Sequence, residues 1–174
     1  MDTLAYVIAV EELARIDSSQ AATLAAHISL GIGPIMSYGT EEQKKKYLPM
    51  LSTGEATWAF GLTEPEAGSD SRNTKTSARL DNGYWIINGS KTFITNGSSS
   101  INKGATVQVL TRNENGQKEF STILVDADTP GFKRVTMHGK MMWRASDTAQ
   151  LFFEDCRFPN PTCLAPVGKV RGSC

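Results

Sequence analysis

Histidine is nearly missing from this 174-residue chain: His27 and His138 stand alone, and neither has a second soft ligand near it in sequence to make a zinc or non-haem iron centre. The 3 cysteines, Cys156, Cys163 and Cys174, are odd in number and loosely spaced. They form neither a CxxC metal pair nor a disulfide framework and read as free thiols. An excess of charge of either sign is lacking too, since 18 Lys and Arg balance 18 Asp and Glu; no cationic surface is left to attract nucleic acid. No run approaches the roughly 20 apolar residues of a membrane span, and Asp2 and Glu11 stand where a signal peptide needs basic and apolar residues. A cytoplasmic or organelle-lumenal protein is expected. The Rossmann GxGxxG fingerprint and a nucleophile-elbow pattern are both absent, which removes the usual dinucleotide crevice and any support for a hydrolase triad around His138.

What is present divides into two halves of different period. Leu4, Ile8, Ala9, Leu13 and Ile16 recur at helical spacing with Glu11 and Glu12 between them. Asp17, Ser18 and Ser19 are N-cap candidates for a second helix reaching Ile28, which Gly31, Gly33 and Pro34 are expected to break. Thr40-Glu41-Glu42-Gln43 is a capping box, and the helix it opens should stop before Gly54. Beyond Gly54 the runs are short and β-rich: 57–62, 76–80, 84–88, 92–95, 105–111, 120–126, 132–135 and 149–154. Asn82-Gly83 makes a tight hairpin and Asn115-Gly116 a longer turn. The expected class is therefore α+β, with N-terminal α-helices followed by an antiparallel β-barrel or sandwich.

Two polar segments carry the most chemistry. In Trp58-Ala59-Phe60-Gly61-Leu62-Thr63-Glu64-Pro65-Glu66-Ala67-Gly68-Ser69-Asp70 a bulky strand runs into a loop turned by Pro65 and Gly68. Such a loop can offer N–H groups to an anion, but on composition alone a solvated connection is the better reading. The second segment is Asn88-Gly89-Ser90-Lys91-Thr92-Phe93-Ile94-Thr95-Asn96-Gly97. A third run links Arg144-Ala145-Ser146-Asp147-Thr148 to Phe153-Glu154-Asp155-Cys156-Arg157-Phe158-Pro159. Together, and in this order, the three runs resemble the acyl-CoA dehydrogenases, and Gly39 to Pro49 resembles the end of that family's N-terminal helical domain.

The resemblance implies a partial helical domain at 1–54, a middle β-barrel domain at 55–162 that binds FAD and acyl-CoA, and a tail at 163–174. It implies that Phe60, Leu62 and Thr63 border the isoalloxazine, the Thr63 hydroxyl serving its pyrimidine edge. Gly68 and Ser69 approach the pyrophosphate and the CoA thioester, with Ser69 also a substrate contact. Phe93 forms an aromatic wall beside the flavin, and Thr95 hydrogen-bonds its N5. For Phe93 and Thr95, an ordinary half-buried strand is the alternative. The implied reaction is α,β-dehydrogenation of an acyl-CoA thioester, in bacterial cytoplasm or mitochondrial matrix. An electron-transfer flavoprotein is the expected partner, and a homo-oligomer the expected form of the full-length enzyme. The family's base is a Glu in a C-terminal helical domain, to which nothing up to Cys174 corresponds; Glu64 and Glu154 belong to other motifs. The chain alone is thus expected to be inactive, and a non-catalytic flavin- or CoA-binding module is the alternative function. Helices between Leu4 and Ser52 are expected to show apolar faces to solvent.

Overall fold

Capping side chains set where the N-terminal helices begin. In the computed structural model, which describes residues 2–112, 115, 117–159 and 164, the Asp2 carboxylate accepts from the Ala5 N–H at 2.8 Å and opens α1 (Thr3–Ile16). Asp17 opens α2 (Ser18–Ala26), accepting from the Ser19 N–H at 2.7 Å. Contrary to expectation, Gly31, Gly33 and Pro34 do not break the helical path. The chain continues through a π-helical turn, His27–Ile32, into α3 (Gly33–Tyr38). Pro34 falls in the first turn of α3, where a missing N–H is tolerated. Gly31 serves backbone approach instead of a turn, for a Cβ there would stand 2.4 Å from the Trp58 carbonyl oxygen. Thr40 and Gln43 form the expected reciprocal box at the start of α4 (Glu41–Ser52), with bonds of 3.2 Å and 2.9 Å.

Seven strands follow: β1 (Thr57–Gly61), β2 (Ser77–Asp81), β3 (Tyr84–Thr95), β4 (Asn102–Arg112), β5 (Lys118–Asp126), β6 (Phe132–Thr136) and β7 (Thr148–Pro159). The α+β class holds, with a difference in the sheet. It is mixed and open, in the order β1-β4-β2-β3-β7-β6 with β5 on β4, where an antiparallel barrel or sandwich was expected. β1 and β2 both run parallel to β4; the β2–β3 hairpin supplies the long crossover from β1, and β3 with its flanking turns the one from β2. That hairpin turns at Asn82-Gly83, with φ of 50° and 79° as a type I′ turn needs. The expected strands 84–88 and 92–95 are one strand, β3, interrupted by bulges against β7.

Apolar side chains gather in two clusters. One lies within the sheet around Ile87, Val107, Ile123 and Leu151. The other seals the helices to the sheet around Ile35, Tyr47, Leu51, Trp58 and Leu124. Trp58 is fully buried at this seam, its indole N–H donating to the Thr106 hydroxyl at 2.8 Å. His27 bridges the same seam: its Nδ1 accepts from the Trp58 N–H at 3.3 Å, and its Nε2 lies 3.0 Å from the Leu51 carbonyl. Those partners fix the neutral tautomer with the proton on Nε2 and give this histidine a structural task. Lys46 and Tyr47 of α4 both bond Asp126 of β5, at 2.7 Å and 2.9 Å.

No residue of α1 is buried, and Leu4, Val7, Ile8 and Ile16 are exposed, in line with the expected apolar helix face. Among the described residues no helix is long and apolar enough to cross a membrane. Of the 163–174 tail only Leu164 is described; its N–H donates to the Thr122 carbonyl at 2.8 Å and its side chain joins the seam. Cys163, Cys174 and the Gly116 part of the second turn lie outside the described residues.

Candidate functional site

A cleft of about 510 Å³ opens where the end of β1, the end of β3 and the π-turn–α3 segment converge. Its sheet wall is Phe60, Leu62, Thr63, Phe93, Ile94 and Thr95; its helix wall includes Ser29, Leu30, Pro34, Ser37 and Tyr38. The structure thus brings together five of the seven residues expected at a site. Gly68 and Ser69 sit apart, exposed on the loop after Thr63, and do not line the cleft. The helix wall had no counterpart in the sequence reading. Its trace was the Gly31-Ile32-Gly33-Pro34 run, where small residues let a helix lie close on a sheet.

Phe93 owes its place to a bulge. Lys91 pairs with Leu151 and Ile94 with Ala149, so β3 spends one residue more than β7 over this stretch. Phe93 takes the strain with φ of 59°, a left-handed conformation unfavourable for a bulky residue by roughly 1–2 kcal/mol. No burial offsets that cost: the residue is 65% exposed and lines the cleft. Thr95 lies two residues on, at the same wall. Among the described residues neither the Thr63 nor the Thr95 hydroxyl is engaged in a hydrogen bond.

Away from the cleft lining, motif residues tie β3 to its neighbours. Asn88 and Asp155 exchange two hydrogen bonds of 2.9 Å. A Cβ on Gly89, at φ of 138°, would come within 2.6 Å of the Thr76 Cα. Asp147 accepts from the Ser98 N–H at 2.7 Å and the Ser98 hydroxyl at 2.6 Å, closing the turn after β3. The Asn96 side chain donates to the Thr23 carbonyl at 3.0 Å and ties that turn to α2. The turn after β3 is thereby held to α2 beside the opening.

Behind the sheet wall lies an ion pair. Lys91 Nζ is 2.7 Å from Glu64 Oε1 with side-chain exposures of 0% and 3%, and it also donates to the Leu62 carbonyl at 3.0 Å. Glu64 accepts further from the N–H groups of Lys75 and Thr76, at 2.7 Å and 3.1 Å. Burial works to raise the Glu64 carboxyl, but Lys91 and the two N–H groups outweigh it and hold the group below its ordinary value. Burial lowers the Lys91 ammonium against the opposing pull of Glu64. The sequence reading gave neither residue a part, although each is the charged member of a quoted motif and their signs are opposite.

The family model described as acyl-CoA dehydrogenase, middle domain, matches residues 59–156, and the one described as acyl-CoA dehydrogenase, N-terminal domain, matches residues 1–55. This chain belongs to the acyl-CoA dehydrogenase family. A probable acyl-CoA dehydrogenase of Bacillus subtilis, YngJ, is 41% identical over 97% of this chain and 44% of its own length. Among solved structures, the butyryl-CoA dehydrogenase of Megasphaera elsdenii superposes with a TM-score of 0.89 at 40% identity, over 97% of this chain and 44% of that one. An acyl-CoA dehydrogenase of Bacillus anthracis complexed with FAD superposes with a TM-score of 0.83 at 37% identity, over 92% and 27%. This family member accordingly spans about 44% of the length of the curated relatives it matches.

Proposed function

We propose that this chain holds FAD with the isoalloxazine in the cleft between β1, β3 and α3, as the flavin-binding part of an acyl-CoA dehydrogenase. The observation that carries the reading is Phe93. A phenyl ring kept exposed at the cost of left-handed backbone is explained by a planar partner, because among the described residues no packing rewards it. The cleft suits such a ring: its volume lies in the range of about 300–1,000 Å³ usual for ligand pockets, and apolar walls surround a few hydroxyls.

Bound FAD supplies the two-electron oxidising power for an acyl-CoA thioester. The chain's own residues orient and enclose. Phe93 covers one face of the ring, Thr95 donates toward N5, and Thr63 reaches the pyrimidine edge. Phe60, Leu62 and the α3 wall keep water out. Gly68 and Ser69 are assigned to the pyrophosphate and thioester end. A Cβ on Gly68 would meet nothing within 4 Å, so the chain's packing does not require glycine there, whereas a close-lying ligand does.

Among the described residues no carboxylate lines the cleft, and Glu64 is committed to Lys91 and two backbone N–H groups. By this reading the described residues bind and align without supplying the base for the α-proton. Binding without turnover follows for this chain by itself, with acyl-CoA and an electron-transfer flavoprotein as partners of the whole enzyme. A division near residue 55 into helical and β parts accords with the separate matches at 1–55 and 59–156.

Phe93→Asn tests the assignment. Asn accepts left-handed φ, so stability measured by urea unfolding should hold or rise by up to about 1 kcal/mol. FAD affinity, followed by flavin fluorescence, should drop by about 0.5–1.5 kcal/mol through loss of the aromatic face. Equal affinity in the variant and the unaltered chain would sink the assignment.

A further inference from the structure

Lys91 does more than neutralise Glu64. Its ammonium grips the Leu62 carbonyl at 3.0 Å, while the Thr92 N–H takes the next carbonyl, that of Thr63, at 2.9 Å. The Leu62–Thr63 peptide is trans, as are all described peptides, so its N–H points opposite to its C=O. With the carbonyl held by a fully buried lysine, the Thr63 N–H is turned away from Lys91, and both Leu62 and Thr63 line the cleft. Among the described residues that N–H has no acceptor, although most backbone donors in a folded chain find one.

Resting on the flavin reading of the cleft, we infer that the buried Lys91–Glu64 pair is a positioning device, which locks the Leu62–Thr63 peptide so that the Thr63 N–H stands ready for an acceptor atom of the bound ring. Glu64 is the second half of the device. It holds Lys91 at 2.7 Å and is itself pinned by the Lys75 and Thr76 N–H groups, so the lysine cannot swing out to solvent. A donor fixed in advance loses little freedom on binding, which is how a buried pair remote from the ligand raises affinity. A pair kept only for stability gains nothing from the contact to Leu62, since well-packed apolar residues replace buried ion pairs at little loss.

The test uses the whole chain. Lys91→Met alone strands a buried carboxylate and is expected to unfold the loop, so the informative variant is the double change K91M/E64Q, which removes both charges and keeps the bulk. Two quantities are read. Amide exchange of Thr63 in the ligand-free protein, by NMR, should be fast in the unaltered chain and altered in the double variant, where the peptide is free to rotate. FAD affinity should fall about tenfold, the loss of one well-placed hydrogen bond. Asn88→Ala is the control, because it breaks the pair with Asp155 elsewhere on β3 and lowers stability while leaving FAD affinity unchanged. A double variant that binds FAD as tightly as the unaltered chain, with Thr63 exchange unmoved, overturns the positioning role. So does an Asn88→Ala variant that weakens FAD equally. If the unaltered chain takes up no FAD, the cleft reading fails; Thr63 exchange that still differs between the unaltered chain and the double variant then leaves the peptide lock standing, and exchange that does not differ removes the lock as well.

Discussion

A single methyl group placed on Gly31 should move the helices off the sheet. In an exposed helix, Gly→Ala stabilises by about 1 kcal/mol through backbone entropy. At position 31 the added Cβ would stand 2.4 Å from the Trp58 carbonyl oxygen and 3.2 Å from its carbon. Restoring an ordinary contact of about 3.4 Å requires the π-turn to retreat by roughly 1 Å, and overpacking of that kind costs about 1–3 kcal/mol. The retreat also stretches the His27 bonds to Leu51 and Trp58, now 3.0 Å and 3.3 Å, worth about 1 kcal/mol each. Steric and hydrogen-bond losses therefore exceed the entropic gain, and net destabilisation of about 1–3 kcal/mol is expected. Gly33→Ala is the matched opposite. Its Cβ would meet only the Ile28 carbonyl at 3.7 Å, an ordinary contact, so the propensity gain survives and stability should hold or rise. Urea midpoints of the two variants decide the matter. If Gly31→Ala is as stable as Gly33→Ala, the close packing of the π-turn on β1 is not the constraint described above.

Three further outcomes are open to measurement. The Tyr47 phenol is pushed up to about 12 from its ordinary 10, chiefly by burial and with Asp126 beside it. A raised acid favours the folded state fully below pH 10 and loses that contribution as pH climbs through about 12, so alkaline melts should show a decline in this window that Tyr47→Phe removes. Thr95→Val should weaken FAD binding or shift the flavin potential by about 0.5–1.5 kcal/mol; unchanged affinity and potential take Thr95 out of the site. Gly68→Val should leave the urea midpoint unchanged, there being open space at the Cβ position, yet reduce FAD affinity; normal binding refutes the pyrophosphate assignment.

Local signals in the sequence translated well into structure. The Thr40–Gln43 box, the Asp17 cap and the Asn82-Gly83 turn each depend on residues within four positions of one another, and each stands as expected. Strand content was legible for the same reason. Direction was not: that β1 and β2 run parallel to β4 depends on which strands meet after a crossover, and alternation of side chains is blind to it. The unbroken path through Gly31 and Pro34 was hidden because a glycine that admits a neighbouring backbone looks, in sequence, like a glycine that ends a helix. At the site, family resemblance supplied Phe93 and Thr95, and the structure adds why position 93 is unusual, through the bulge opposite Leu151 and Ala149. The Lys91–Glu64 contact, spanning two motifs 27 residues apart, was written in the charges but needed the third dimension to be seen.

The wide turn at His27–Ile32 also sets the phase of everything that follows it in the helical arm. Each residue of an ordinary helix advances the side-chain direction by about 100°, so cutting one residue from this turn would crank α3 by about that angle and swing Ser37 and Tyr38 away from the opening. Surface loops accept changes of length with small penalties; this stretch works like a keyed shaft, and a one-residue deletion there would leave every later amino acid intact while dismantling half of the cleft.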